Sequence, residues 1–306
     1  MHRIYRSPLL QLQQASLDLS RLSVTRRITT TVNYLAPIEK LVPPVQPFRY
    51  AYPPPKGVPE HNEVLEPHQV EVHNIRQRLS DFELDQSGFT AWLDTPTSFS
   101  EWNDDKAIRS RYYEETIQLI KDKLGATRVI IFDHTIRRRN PDTDDSPDTL
   151  GKRQPVYRVH VDQTPSAGEA RIRLHMGSEE AKKLLRTRAQ ILNIWRPTRG
   201  PVLDAPLGLI DVRSVKQADY SIGRIFYRDR EGSTFLVHHN PHHKWYYLSK
   251  MMPDEVVIIK CYDNKLPNIV APHSGFITPP PSGVSLLPRH SIEVRCLVFY
   301  ENEKVL

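Results

Sequence analysis

Eight β-rich segments follow one another at short intervals in the second half of this chain. They run over 190–196, 207–215, 222–227, 234–239, 245–249, 255–262, 273–277 and 291–300, with loop signals between them. So dense a row of strands must hide its edges, which predicts a closed or double-sheet β architecture, mainly β with helices packed outside a jelly-roll core. At 306 residues the chain can fill one large core. No apolar run approaches 18 residues, so nothing is predicted to span a membrane.

The first half sets the approach to that core. Residues 1–27 carry Arg3, Arg6, Arg21, Arg26 and Arg27 against the single acid Asp18. Such a basic leader resembles a mitochondrial transit peptide and lacks the continuous apolar core of a secretory signal. A disordered or helical extension with no part in catalysis is the other reading, and with it a cytoplasmic protein. Residues 28–306 then form one domain, with its β core over about 127–301. A strand is expected over Thr29–Ala36. Eight prolines between Pro37 and Pro59 exclude a central strand and predict an extended surface wrap. Val70, Val72 and Ile75 with Phe82 and Leu84 suggest a short hairpin. A helix is predicted from Asn103 to Leu124, stopped by Gly125, then a buried strand over Thr127–Asp133. Residues 139–151 form an acidic loop near the next strand, and a second helix is expected over Gly168–Arg188.

The chemistry concentrates in Val156–Pro165. Alternation at period two sends Tyr157, Val159 and Val161 to one face and Arg158, His160 and Asp162 to the other. An imidazole and a carboxylate thus point the same way, close enough to share one divalent ion. A second histidine from a distant strand would complete the two-His, one-carboxylate set of non-haem iron(II) sites. His273, in Ala271-Pro-His-Ser-Gly-Phe276, lies 113 positions later, an order that a double-stranded β-helix admits.

Downstream, Pro288-Arg-His-Ser-Ile-Glu-Val-Arg295 places Arg289, Ser291 and Arg295 on one strand face. A guanidinium beside a hydroxyl suits the distal carboxylate of a 2-oxo acid. The pattern does not say which arginine takes that role. Asn193 and Trp195 project from one face of their strand as candidates to line the substrate pocket. Arg196 is a candidate anion contact, and Phe276 a candidate for shaping the substrate side.

Several of these stretches resemble one known family. Thr29–Pro37, Arg158–Pro165, Asn193-Ile-Trp-Arg-Pro197, Trp245-Tyr-Tyr247, Lys260-Cys-Tyr-Asp263, Pro272-His-Ser274 and Pro288–Arg295 look like the hydroxylase/desaturase family of fungal biosynthetic clusters. The resemblance runs from about residue 28 to 301. It includes aspergillic-acid hydroxylases, gibberellin desaturases, cephem-methoxylase components and aziridine-forming amino-acid oxygenases. It implies an Fe(II)- and 2-oxoglutarate-dependent oxygenase that uses O2, with His160, Asp162 and His273 at the metal positions. The implied reaction is hydroxylation, desaturation or oxidative cyclisation of a small metabolite derived from amino acid, peptide or terpenoid. The basic leader departs from the family pattern.

Other readings stay open from the residues alone. A catalytically inactive β-barrel that only holds a ligand, or an iron-free cupin-like isomerase, would share the fold. His238-His-Asn-Pro-His-His243 offers four imidazoles, a zinc site at best, but without a carboxylate among them it reads as surface histidines in a hairpin. There is no Gly-x-Ser-x-Gly elbow, and Cys261 and Cys296 sit in β runs as buried free thiols. The net charge of +6 is spread among interspersed acids and bases, and no basic stripe with aromatics marks a nucleic-acid partner. A small-molecule substrate is the expected partner, with room for a homodimer.

Overall fold

The computed structural model describes residues 27–142, 153–278 and 286–305. In chain order the strands are β1 (Arg27–Leu35), β2 (Phe48–Tyr50), β3 (Leu65–Asn74), β4 (Phe89–Trp92) and β5 (Arg128–Arg138). The second half adds β6 (His160–Val161), β7 (Thr187–Arg199), β8 (Leu207–Ile210), β9 (Tyr220–Phe226) and β10 (Glu231–Val237). It ends with β11 (Trp245–Tyr247), β12 (Val256–Asp263), β13 (His273–Gly275) and β14 (His290–Lys304).

They form two sheets. Nine strands lie in the order β1-β3-β11-β8-β13-β6-β10-β9-β2, and five in the order β4-β12-β7-β14-β5. The inner faces meet in one apolar core that joins Leu207 and Leu209 of the larger sheet, with Ala271 just before β13, to Ile191, Trp195, Val257, Ile259 and Leu297 of the smaller. The alternating pattern makes this possible, because each strand of the smaller sheet also has an apolar outer face. There Leu192, Ile194, Ile258, Val294 and Val298 pack with Ile120 and Tyr112 of the first helical segment. On the outer face of the larger sheet, Val32, Tyr34, Val72, Ile210, Trp245 and Phe276 make a separate cluster. The result is the expected jelly-roll sandwich with helices outside.

Five local differences follow. Val70 and Val72 lie in β3, which pairs antiparallel with β1, so they do not form a hairpin with Phe82 and Leu84. The first helical segment runs through α1 (Asp105–Ala107), a π-helical turn (Ile108–Tyr112) and α2 (Tyr113–Leu124), capped by the Asp104 carboxylate at one end and left-handed Gly125 at the other. The second begins earlier than expected, because the Thr164 hydroxyl caps it and Pro165 opens its first turn. It breaks into α3 (Pro165–Met176) and α4 (Ser178–Leu184) at Gly177, whose φ of 75° ends the first helix. In the proline-rich wrap, β2 pairs along the edge with β9, where its prolines cost no central hydrogen bonds.

One glycine is fixed by packing. A Cβ on Gly168 in α3 would stand 2.3 Å from the ring of Tyr262, so only glycine lets the helix lie flat on β12.

Candidate metal centre

β6 and β13 are neighbours in the larger sheet, and His160 and His273 are direct register partners. Their rings are 4.5 Å apart. Asp162, two residues past His160, faces the same way, and donor atoms of the three side chains all lie within 4.8 Å of one another. No other group of three or more such donors is found among the described residues.

Backbone carbonyls fix the imidazoles. The Nδ1 of His160 is 2.9 Å from the Arg158 carbonyl, and the Nδ1 of His273 is 3.1 Å from that of Ala271. A carbonyl only accepts, so each Nδ1 carries the proton and each Nε2 keeps a lone pair for a cation. The Nε2 of His160 stands 3.2 Å from Asp162. Burial lowers the pKa of His273, with the neighbouring His160 adding to the effect, so that ring stays neutral. Burial works against ionising Asp162, but its close neighbours His160 and the charged Arg295 outweigh it and hold its carboxyl well below the usual range. Two imidazoles and one carboxylate are the donor set that ferrous iron takes, and the residues fit that ion.

Asn193 comes from β7 in the facing sheet. Its side-chain amide donates to Asp162 at 2.7 Å, so it touches the carboxylate directly and helps to position it. Arg295 of β14 also reaches Asp162, at 3.4 Å, together with Asp133 at 3.1 Å, Thr135 at 2.8 Å and Glu293. Burial opposes its charge, yet Glu293, Asp162 and Asp133 raise its pKa.

Arg289 lies on the same strand face and behaves oppositely. It is 4% exposed, its Nη1 donates to the Ala205 carbonyl at 2.9 Å, and its buried Nε has no partner. Among the described residues no carboxylate pairs with it. Its plane lies 5.3 Å from the Trp195 ring, and burial pushes its pKa down to about 10. Arg289, Trp195, Leu207, Gly275, Glu293 and Arg295 line a cavity of about 50 Å³ with the three donors. Ser291 is buried on that face, one strand repeat from Arg289, but does not line the cavity.

Two expected residues are not brought to the cluster. Arg196 points from the outer face of β7, where it donates to the Tyr112 hydroxyl at 2.8 Å and to the carbonyls of Thr95 and Pro253. Phe276 lies on the outer face of the larger sheet, 5.6 Å from the Tyr247 ring. The histidine run is also only partly as expected. His243 has a buried side chain bonded to Tyr34 and Asp219, at 3.0 and 3.1 Å, and His238 bonds Ser221 at 2.8 Å. These contacts tie strands together. Both cysteines are buried and unpaired, and burial raises their thiol pKa values.

Sequence reasoning missed a second, larger space. A cavity of about 900 Å³ shares His160, Asp162, Val156, Arg137 and Arg295 with the small one and opens outward between α3, β5, β9 and β10. No periodicity marks its lining, which is gathered from six stretches of chain. The acidic loop expected near it falls partly outside the described residues, at 143–151.

Comparison with known proteins agrees with this geometry. The family described as Oxidoreductase/YMDC permease-like domain matches residues 32–299. Hydroxylase/desaturase efuI of Hormonema carpetanum is 36% identical over 256 residues, covering 77% of this chain and 84% of its own. This chain belongs to the fungal hydroxylase/desaturase family of Fe(II)/2-oxoglutarate-dependent oxygenases. The Fe(II)/2-oxoglutarate-dependent dioxygenase nvfI of Aspergillus novofumigatus is 32% identical over 258 residues, covering 82% of this chain and 90% of its own. A solved structure titled iron and alpha-ketoglutarate-dependent endoperoxidase NvfI superposes with a TM-score of 0.77 at 30% identity, over 90% of this chain and 98% of that one. The oxygenase fold therefore extends over nearly all described residues, and an inactive carrier is not the favoured reading. No helix among the described residues is long and apolar enough to cross a membrane.

Proposed function

We propose that His160, Asp162 and His273 hold Fe(II), that Arg289 grips the distal carboxylate of 2-oxoglutarate, and that the large cavity takes a small metabolite for hydroxylation, desaturation or oxidative cyclisation in secondary metabolism. When bound, the metal couples O2 and the 2-oxo acid to removal of hydrogen from a substrate carbon. The chain's own residues supply everything around that step. Backbone carbonyls orient both imidazoles, and Asn193 with Arg295 hold the Asp162 carboxylate in place. Trp195 and Leu207 give the small cavity apolar walls, which strengthen an ion pair formed inside it.

The observation that carries the reading is a buried guanidinium with no carboxylate paired to it among the described residues, lining the same small cavity as a two-His, one-carboxylate cluster. A buried cation of this kind awaits an anion. Arg295 already has its three carboxylates, so the choice between the two arginines falls on Arg289. Anaerobic addition of Fe(II) and 2-oxoglutarate is expected to give a weak visible charge-transfer band that His160→Ala and His273→Ala each abolish. A band that survives in both variants refutes the ligand assignment. Succinate formation in air then separates an oxygenase from a carrier.

The finer placement is part of the same proposal. We read residues 28–306 as one oxygenase domain acting in the cytoplasm without a nucleic-acid partner, residues 1–27 as an extension, and the homodimer as its simplest assembly. Light scattering tests the last, and a fluorescent fusion with and without residues 1–27 tests a mitochondrial address.

A further inference from the structure

The large cavity carries a charge that holding iron and 2-oxoglutarate does not account for. Its lining includes eight arginines and three carboxylates. All three carboxylates are already engaged, Asp133 and Asp162 by Arg295 and Glu231 by Arg224. Most of the arginines are engaged too. Arg158 pairs with Glu63, Arg173 with Glu169, and Arg230 stands 3.5 Å from Asp229. Arg137 and Arg153 bond Gln154 and Thr135.

Arg49 and Arg171 are different. Neither has a carboxylate partner among the described residues, and both are half-buried. Arg171 projects from α3 with its guanidinium 5.3 Å from the Phe132 ring. Burial, joined by the nearby charges of Arg230 and Arg295, outweighs Tyr227 and Asp133 and depresses its pKa. Arg49 comes from β2, the strand that the proline-rich wrap delivers to the sheet edge. Between the charges the lining is mixed, with Phe132, Leu174, Ile225 and Tyr227 as an apolar part beside Gln163, Ser233 and Thr234. An arginine stacked on an aromatic ring and open to a cavity is suited to an oxyanion, while the apolar walls suit a hydrocarbon body.

We infer that the substrate is an organic acid, one anionic group on an apolar skeleton, and that Arg171 and Arg49 select for that group. The inference rests on the oxygenase reading for the identity of the cavity as the substrate's, and on charge and lining for the rest.

The test compares two dyes of one shape, the anion 8-anilinonaphthalene-1-sulfonate and its uncharged parent N-phenyl-1-naphthylamine. Binding is read by fluorescence to enzyme loaded under argon with Fe(II) and saturating 2-oxoglutarate, so that the Arg289 site is filled. Arg171→Gln is expected to weaken the anionic dye about fivefold, and the double variant Arg49→Gln/Arg171→Gln about tenfold or more, with the neutral dye changed less than about twofold. Arg171→Lys keeps the charge and should restore the anionic dye to within about threefold of wild type, which separates charge recognition from misfolding. Equal losses for both dyes, an unchanged anionic dye in the double variant, or no binding of that dye by wild type overturns the inference. The charge-transfer band of the wild-type enzyme is recorded in the same samples. Its absence beside an intact dye preference refutes the oxygenase reading and leaves the charge selectivity standing.

Discussion

Replacing Arg289 with Met should make the protein more stable and a worse enzyme. Arg289 is a buried cation with one hydrogen bond, to the Ala205 carbonyl, and no carboxylate partner among the described residues. Its pKa is depressed to about 10 by burial. Against an ordinary arginine value that difference corresponds to about 3 kcal/mol of destabilisation at neutral pH. The sign follows from the charge. Below about pH 10 the side chain is protonated in both folded and unfolded states, so the full cost is present, and it fades only as pH rises through the folded value toward the unfolded one.

Methionine has similar length and no charge, so the substitution removes this cost while losing the hydrogen bond and the contact with Trp195, together about 1–2 kcal/mol. The net expectation without cosubstrate is a gain of about 1–2 kcal/mol, or a Tm higher by about 2–3 °C. With cosubstrate the order reverses. A desolvated guanidinium–carboxylate pair is worth about 2–5 kcal/mol, so the variant should need about 30- to 4000-fold more 2-oxoglutarate. Calorimetric melting with Fe(II), with and without 2-oxoglutarate, measures both quantities at once. Wild type should gain stability from the cosubstrate and Arg289→Met should not. A variant that melts lower without 2-oxoglutarate and still binds it as wild type does would refute the argument.

Three further outcomes follow from the same packing. Arg295→Met leaves Asp162, Asp133 and Glu293 facing one another without their cation and should cost about 3–5 kcal/mol in urea unfolding, the opposite of Arg289→Met. Asn193→Leu removes the amide that donates to Asp162 and should weaken Fe(II) binding about 10- to 100-fold in a chelator competition, with melting of the apoprotein changed far less. Gly168→Ala drives a methyl into the Tyr262 ring and should cost about 2–3 kcal/mol, and a second change of Tyr262 to Leu should recover part of it in the same unfolding assay.

The parts of the fold and site that were legible in the sequence are those set by strand period. Alternation placed His160 with Asp162, and Asn193 with Trp195, on shared faces, and the structure turns all four inward. The same parity puts Arg196 and Phe276 on outer faces, one residue from Trp195 and Gly275, so their absence from the cluster was readable from period two. What was not legible comes from contacts distant in sequence. The β1–β3 pairing spans a proline-rich wrap with no turn signal to announce it, and Gly177 breaks a helix whose apolar pattern continues on both sides. The large cavity is assembled from stretches that share no spacing.

Arg289 and Arg295 show most clearly why a pattern stops short of a role. Both point inward, Arg295 from β14 and Arg289 from the residue just before it, in the same short motif, and either could grip an anion. Across the ladder from Arg295, register places Asp133 of β5 and Asn193 of β7, while Glu293 stands beside it on β14 and Asp162 reaches it from the other sheet. Arg289 lies just outside the paired part of β14, beyond the last rungs with β5 and β7, and finds only a carbonyl and an indole. One arginine is thereby built into the scaffold that holds the Asp162 carboxylate, and the other keeps a buried charge with no carboxylate paired to it among the described residues, which is what the proposed anion site needs. Strand register, which depends on residues far away in the chain, assigns the two roles.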